Sequence, residues 1–137
     1  MSGTQDAPPA VGTVSSAISN AVVRLLAEYT GRGPTKARTY MHDDYIAVVL
    51  QDTMTKGERS LVRDGKVELV LDMRKAYQNT MRTDLVAAIE RLTGRTVLAF
   101  LSDNHADPDI AVESFVLVPQ DGKVTVEEPT ATAPAAT

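Results

Sequence analysis

The sequence has no cysteine and no tryptophan, and its aromatic residues are four tyrosines and two phenylalanines in 137 residues. The missing thiols exclude cysteine nucleophiles, Cys-ligated zinc and any disulfide or redox switch. They also leave the compartment unreadable from disulfides. Two histidines, His42 and His105, are too few for an ordinary zinc site. Fourteen Lys and Arg stand against eighteen Asp and Glu, with no basic run, so the net charge is −4. With few aromatic faces for stacking and no basic footprint, nucleic-acid binding is not expected. No apolar run approaches the ~18 residues that a membrane-spanning helix needs. The N-terminus, MSGTQDAPPAVGT, has neither the basic nor the apolar region of a secretory signal, so a cytoplasmic protein without direct membrane insertion is expected.

What is present is one domain's worth of periodic sequence. Residues 1–12 and 120–137 are rich in Pro, Ala, Thr and Gly and read as tails, with KVTV at 123–126 able to add a short edge strand. Residues 13–119 carry the fold. Val14, Ile18, Val22, Leu25, Leu26 and Tyr29 recur at helical spacing, with Thr13 as a candidate cap and Gly31 as the left-handed residue past the end. TKARTYMH and DYIAVVLQ follow as two strands meeting near Asp43-Asp44. Thr55 and Glu58 have the spacing of a capping box and open a long helical segment to Leu92, with a bend or break expected at Asp64-Gly65. Gly94 ends that segment. TVLAFLS and DIAVESFVLV then form a second hairpin.

The order is helix, hairpin, helix, hairpin, giving an α+β fold. It has a four-stranded antiparallel sheet and two helices on one face, the second of them long. EYTGRG and RLTGRT both close a helix before a strand, which raises an internal αββ duplication. Both faces of the strands carry apolar residues, so the face without helices calls for a second cover, and a homodimer is expected.

Several clusters invite a chemical reading. SDNHADPD, 102–109, fails the calcium-loop pattern, because Pro108 and Ser114 stand where Gly and Glu belong. It reads as a solvated hairpin tip, with Asp and Asn closing local turns. A Ser102, Asp103, His105 triad lacks a nucleophile elbow. If the two hairpin tips met in space, His42 and His105 with nearby Asp could hold a metal. GRGPTK, 31–36, follows a helix where a phosphate loop would open one, and Arg32 and Arg95 complement helix C-termini. Those arginines could also flank a small anion such as carbonate. Arg74, Lys75 and Arg82 read as a solvated helix face, although Arg74 sits beside the apolar stripe and could reach a partner. Met73, Tyr77 and Met81 read as core. No carboxylate pair stands out for acid–base work.

Gly31-Gly33-Pro34, Thr55 with Glu58, Arg74, Thr93-Gly94-Arg95 and Ser102-Asp103 together resemble the MpsC family over roughly residues 14–118. These are small bacterial proteins named for a sodium-translocating system that generates membrane potential. The resemblance implies a soluble partner of membrane transporters linked to ion and inorganic-carbon uptake, and it brings no catalytic residues with it.

The expectation is therefore a non-enzymatic accessory or regulatory subunit of a membrane ion or bicarbonate transport system, without cofactor or metal. It would be cytoplasmic or peripheral at the inner face of the membrane. A small-anion or metabolite sensor is the alternative, and a metal-assisted hydrolase using His42, His105 and the Asp cluster is a weaker one. Residues singled out for anion binding or partner contact are Arg32, Gly33, Arg74, Arg95, Ser102, Asp103 and His105.

Overall fold

The computed structural model describes residues 11–120. The expected tail segments before and after these, KVTV included, lie outside the described residues. The elements run α1 (Val11–Thr30), β1 (Lys36–His42), β2 (Tyr45–Gln51), α2 (Lys56–Arg63), α3 (Val67–Thr93), β3 (Val97–His105) and β4 (Ile110–Leu117). All neighbouring strands are antiparallel and the sheet order is β1-β2-β4-β3. The long helical segment is divided in two, so the fold has three helices. Gly65 takes φ +78° there, and the amides of Gly65 and Lys66 turn back onto Val62 and Leu61. At the start of α2, Thr55 accepts from the Glu58 amide while Glu58 accepts from the Thr55 amide, closing the capping box. Thr13 does not cap α1, because the helix already runs at Val11, two residues earlier.

Helices α1 and α3 pack against each other, α1 over β1 and α3 over β3. The period-2 phase of the strands decides which side chains they meet. Ile46, Val48 and Leu50 of β2 and Ala111, Phe115 and Leu117 of β4 point inward. There they join Ile18, Val22 and Leu26 of α1 and Met81, Leu85 and Ile89 of α3 in one core. Phe100 and Phe115, opposite each other on β3 and β4, tilt together with ring centroids 5.1 Å apart.

The two Thr-Gly-Arg segments adopt the same geometry. Thr30 and Thr93 each donate a hydroxyl to the carbonyl four residues back, at 2.7 Å. Gly31 and Gly94 follow with φ +80° and +70°, their amides donating to Ala27 and Glu90. The amides of Arg32 and Arg95 then donate to those threonine hydroxyls. Each arginine's Nη2 also reaches the carbonyl just past its own hairpin's second strand, Asp52 for Arg32 and Val118 for Arg95. The sheet order reads the same when the two αββ units are exchanged. The duplication suggested by the Thr-Gly-Arg match is thus a geometric one, with α2 as an addition between the units.

The face away from the helices is bare. Row by row across β1, β2, β4 and β3 it presents Arg38, Val49, Val112 and Asp103, then Tyr40, Ala47, Ser114 and Leu101. Tyr40 and Leu101 are 52% and 57% exposed. The apolar residues expected on both faces of the sheet are there.

At Gly94 a Cβ would meet no atom within 4 Å, so only the left-handed backbone resists substitution. Gly94→Ala is expected to lower stability by about 1 kcal/mol in urea titration, with the far-UV spectrum unchanged.

Candidate functional site

Beneath the helices, at the end of the sheet where β2 stops and the β3–β4 turn begins, the interior is polar. Two positions on α3, four residues apart, bring Arg74 and Gln78 to the same inward stripe as Met81 and Leu85. Arg74 is 8% exposed. Its Nη2 donates to Thr53 Oγ1 at 2.5 Å and its Nε to Asn104 Oδ1 at 3.1 Å, while Nη1 stands 3.5 Å from Glu58 Oε1. The reading of Arg74 as part of a solvated face is corrected here. Its guanidinium lies in the interior and binds α3 to α2, to β3 and to the segment leaving β2.

Around this guanidinium the other polar groups are tied in turn. Thr53 donates to Asp109 Oδ1 at 2.8 Å, and the Met54 amide donates to Asp109 Oδ2 at 2.9 Å. The Gln78 and Asn104 amides exchange hydrogen bonds of 3.0 and 2.9 Å. Gln78 Nε2 also reaches Glu113 Oε2 at 3.3 Å. Glu113 itself is fully buried on β4, between the inward positions of Ala111 and Phe115. Its other oxygen, Oε1, has no partner, and neither has the buried hydroxyl of Ser102, its register neighbour on β3.

Burial lifts the Glu113 carboxyl to about 7, against the pull of Ser102, Gln78 and the charge of Arg74 in the other direction. The carboxyl whose protonation is shifted is itself fully buried.

A cavity of about 20 Å³ adjoins the network, walled by Arg32, Thr53, Glu58, Arg74, Tyr77 and Gln78 among others. That is room for roughly one water molecule.

The sequence-chosen residues fall in three places. Arg74 and Ser102 belong to the buried network. Arg32 lies beside it at the end of β2, where its Nη2 pairs with Asp52 at 2.6 Å. Asp52, also held by Arg59, has φ +59°. Arg32 foremost, with Thr35 and Arg59, keeps its carboxyl below the usual carboxylate range, although partial desolvation opposes them. Gly33 passes so close to α1 that a Cβ would come within 3.3 Å of Val23.

Arg95 sits at the other end of β2, donating to Asp43 O at 3.0 Å and pairing with Asp44 at 2.6 Å. The two arginines therefore do not flank a common point. The hairpin tips are likewise at opposite ends of the sheet, since Tyr45 pairs with Val116 and Gln51 with Ile110. His42 and His105 are kept apart, and among the described residues no group of three potential ligands gathers for a metal.

Asp103 and His105 are exposed on the β3 edge, as a solvated tip implies, with His105 Nδ1 2.8 Å from Pro108 O. From the same cluster Asn104 and Asp109 turn inward to the network. Thr53, Gln78 and Glu113 were not singled out from sequence, and Asn104 and Asp109 were read only as part of the solvated hairpin tip. Two of them left a signal: Glu113 stands in the inward phase of AVESFVL, and Gln78 lies four residues beyond Arg74 and three before Met81. Thr53 and Asp109, in irregular segments, left none.

The folded chain retains a proton on Glu113 between pH 4.5, its ordinary value, and about 7, where the unfolded chain has lost it. Stability from this group is therefore fullest below the lower value and declines as pH rises to the upper one, by roughly 3 kcal/mol. Glu113→Gln, which removes the buried ionisable group, is expected to remove that decline and to be more stable than wild type at pH 8. Urea titrations from pH 4.5 to 8 would show it, and an unchanged slope would assign the titration to another group.

A family model described as "Na+-translocating membrane potential-generating system (MpsC)" matches residues 10–118. No curated protein and no solved structure matches the chain.

Proposed function

The chain belongs to the MpsC family, and from that membership we propose that it is a non-enzymatic accessory or regulatory subunit of a sodium-translocating membrane system. In this reading it is held at the cytoplasmic side of the membrane, works as a homodimer, and serves transport in which bicarbonate or a related ion takes part. The observation that carries the reading is the family match across nearly all the described residues. Among the described residues no helix is long and apolar enough to cross a membrane. The reading accordingly gives the ion path to another subunit. The interior supports a structural part for the polar network, since most of its side chains are spent on one another and the cavity beside Arg74 is the size of a water.

The small-anion alternative has one observation in its favour, the presence of Arg32 and Arg74 on one cavity wall. Each guanidinium is already matched by a carboxylate, Asp52 and Glu58, and the cavity would have to open to admit carbonate. The accessory reading needs no such rearrangement.

Affinity capture of the tagged chain from detergent-solubilised membranes of its native cell is expected to recover a polytopic cation-transport subunit, enriched over a soluble-fraction control. Recovery of the chain alone, and only from the soluble fraction, would contradict the reading.

A further inference from the structure

We propose that the bare sheet face is where two copies of this chain meet, packed face to face about a two-fold axis that runs parallel to the strands. This rests on the dimeric reading above and specifies the surface and orientation that reading leaves open.

Charge selects both the occupant and the axis. In the row Arg38, Val49, Val112, Asp103 the middle is apolar and the two rims carry opposite charge. Rotation about an axis along the strands brings β1 of one copy over β3 of the other and keeps each row level with itself. Arg38 then faces the second copy's Asp103, and Asp103 its Arg38, so both rims close with ion pairs over apolar centres. An axis across the strands would instead set β1 on β1 and β3 on β3: lying on the Arg38 row it puts Arg38 against Arg38 and Asp103 against Asp103, and moved off that row it still gives Arg38 no carboxylate. The first is repelled, and the rest lack the rim ion pairs.

The next row fits the same rotation. Tyr40 and Leu101, both more than half exposed, come over one another at the rims. Ala47 and Ser114 leave room for them to lean inward, and the Tyr45 hydroxyl is already bonded to Ser114 at 2.8 Å. The Arg38 guanidinium lies over Tyr40, 5.5 Å from the ring centroid, so it is held along the face rather than extended into solvent. At the ~30° of aligned sheet packing the corners splay apart and these two rows carry the contact.

Four strands at about 4.8 Å and seven residues at about 3.4 Å give a face of roughly 19 by 24 Å. That places the contact toward the small end of specific interfaces, so it should dissociate on dilution. The same rotation sets the two helical layers on the outside, and each polar network stays within its own copy.

The absence of cysteine makes the orientation directly testable in the full chain. Arg38 and Asp103 lie on outer strands about 14 Å apart across one sheet. A mixture of the Arg38→Cys and Asp103→Cys chains, treated at high micromolar concentration with a short bis-maleimide able to span sheets about 10 Å apart, is expected to give a cross-linked heterodimer. Either chain alone is expected to give little.

In parallel, light scattering should find a dimer for wild type, a monomer for Arg38→Glu, and a dimer again for Arg38→Glu with Asp103→Arg. A wild-type monomer would overturn both the dimeric reading and this surface. A dimer indifferent to these changes, or cross-linking of each chain only to itself, would overturn the surface and axis while leaving dimerisation intact. Membrane capture of a transport subunit tests the accessory reading separately from either result.

Discussion

Arg74 is a guanidinium taken out of water, and the end of the molecule around it is organised to make that tolerable. Burying such a charge costs several kcal/mol unless every donor finds an acceptor. Here Thr53 and Asn104 accept from it, and Glu58 supplies the opposite charge. These three partners come from the segment leaving β2, from β3 and from α2. The interaction therefore closes the hairpins, the inserted helix and α3 into one unit. Glu58 serves twice, as the capping carboxylate of α2 and as the counter-charge of Arg74. The start of a short eight-residue helix is fixed in the same step that neutralises the buried cation.

Set against the near symmetry of the two αββ units, this network marks where the symmetry is broken. The Thr-Gly-Arg closures repeat, and each arginine reaches the same carbonyl position. Beyond that the ends of the sheet differ. Arg95 clamps the β1–β2 turn from outside through backbone carbonyls and Asp44. The opposite end, with α2 inserted, has acquired an interior of buried polar side chains. Glu113 extends the network into the apolar core, where burial lifts its carboxyl to about 7.

Most of the fold was legible in the sequence, because it rests on local signals. The helical stripe of α1, the capping box at Thr55, the Gly65 break and the two left-handed glycines are all written in neighbouring residues. So are both hairpins. The sheet order, which sends the hairpin tips to opposite ends, is a long-range matter on which spacing is silent; it separates His42 from His105 and Arg32 from Arg95. Arg74 was visible as a residue but misplaced in environment. A cation next to an apolar stripe most often snorkels to solvent, and its turning inward depends on acceptors 21 residues before it and 30 after it. Asn104 and Asp109 were concealed in a polar run whose other members do face water, so composition could not divide the run into two roles.

The central claim, that the Arg74 guanidinium couples α2 to the rest of the fold through Glu58, is tested most directly by a double-mutant cycle. The measurement is the unfolding free energy of wild type, Arg74→Met, Glu58→Gln and the double variant at neutral pH. Gln at position 58 preserves the side-chain oxygen of the helix cap while removing the charge. The account predicts that each single change is costly, because it leaves a buried charge unpaired, and that the double costs less than their sum by about 2 kcal/mol. Additive losses would show that the two residues stabilise the protein independently and would contradict the account.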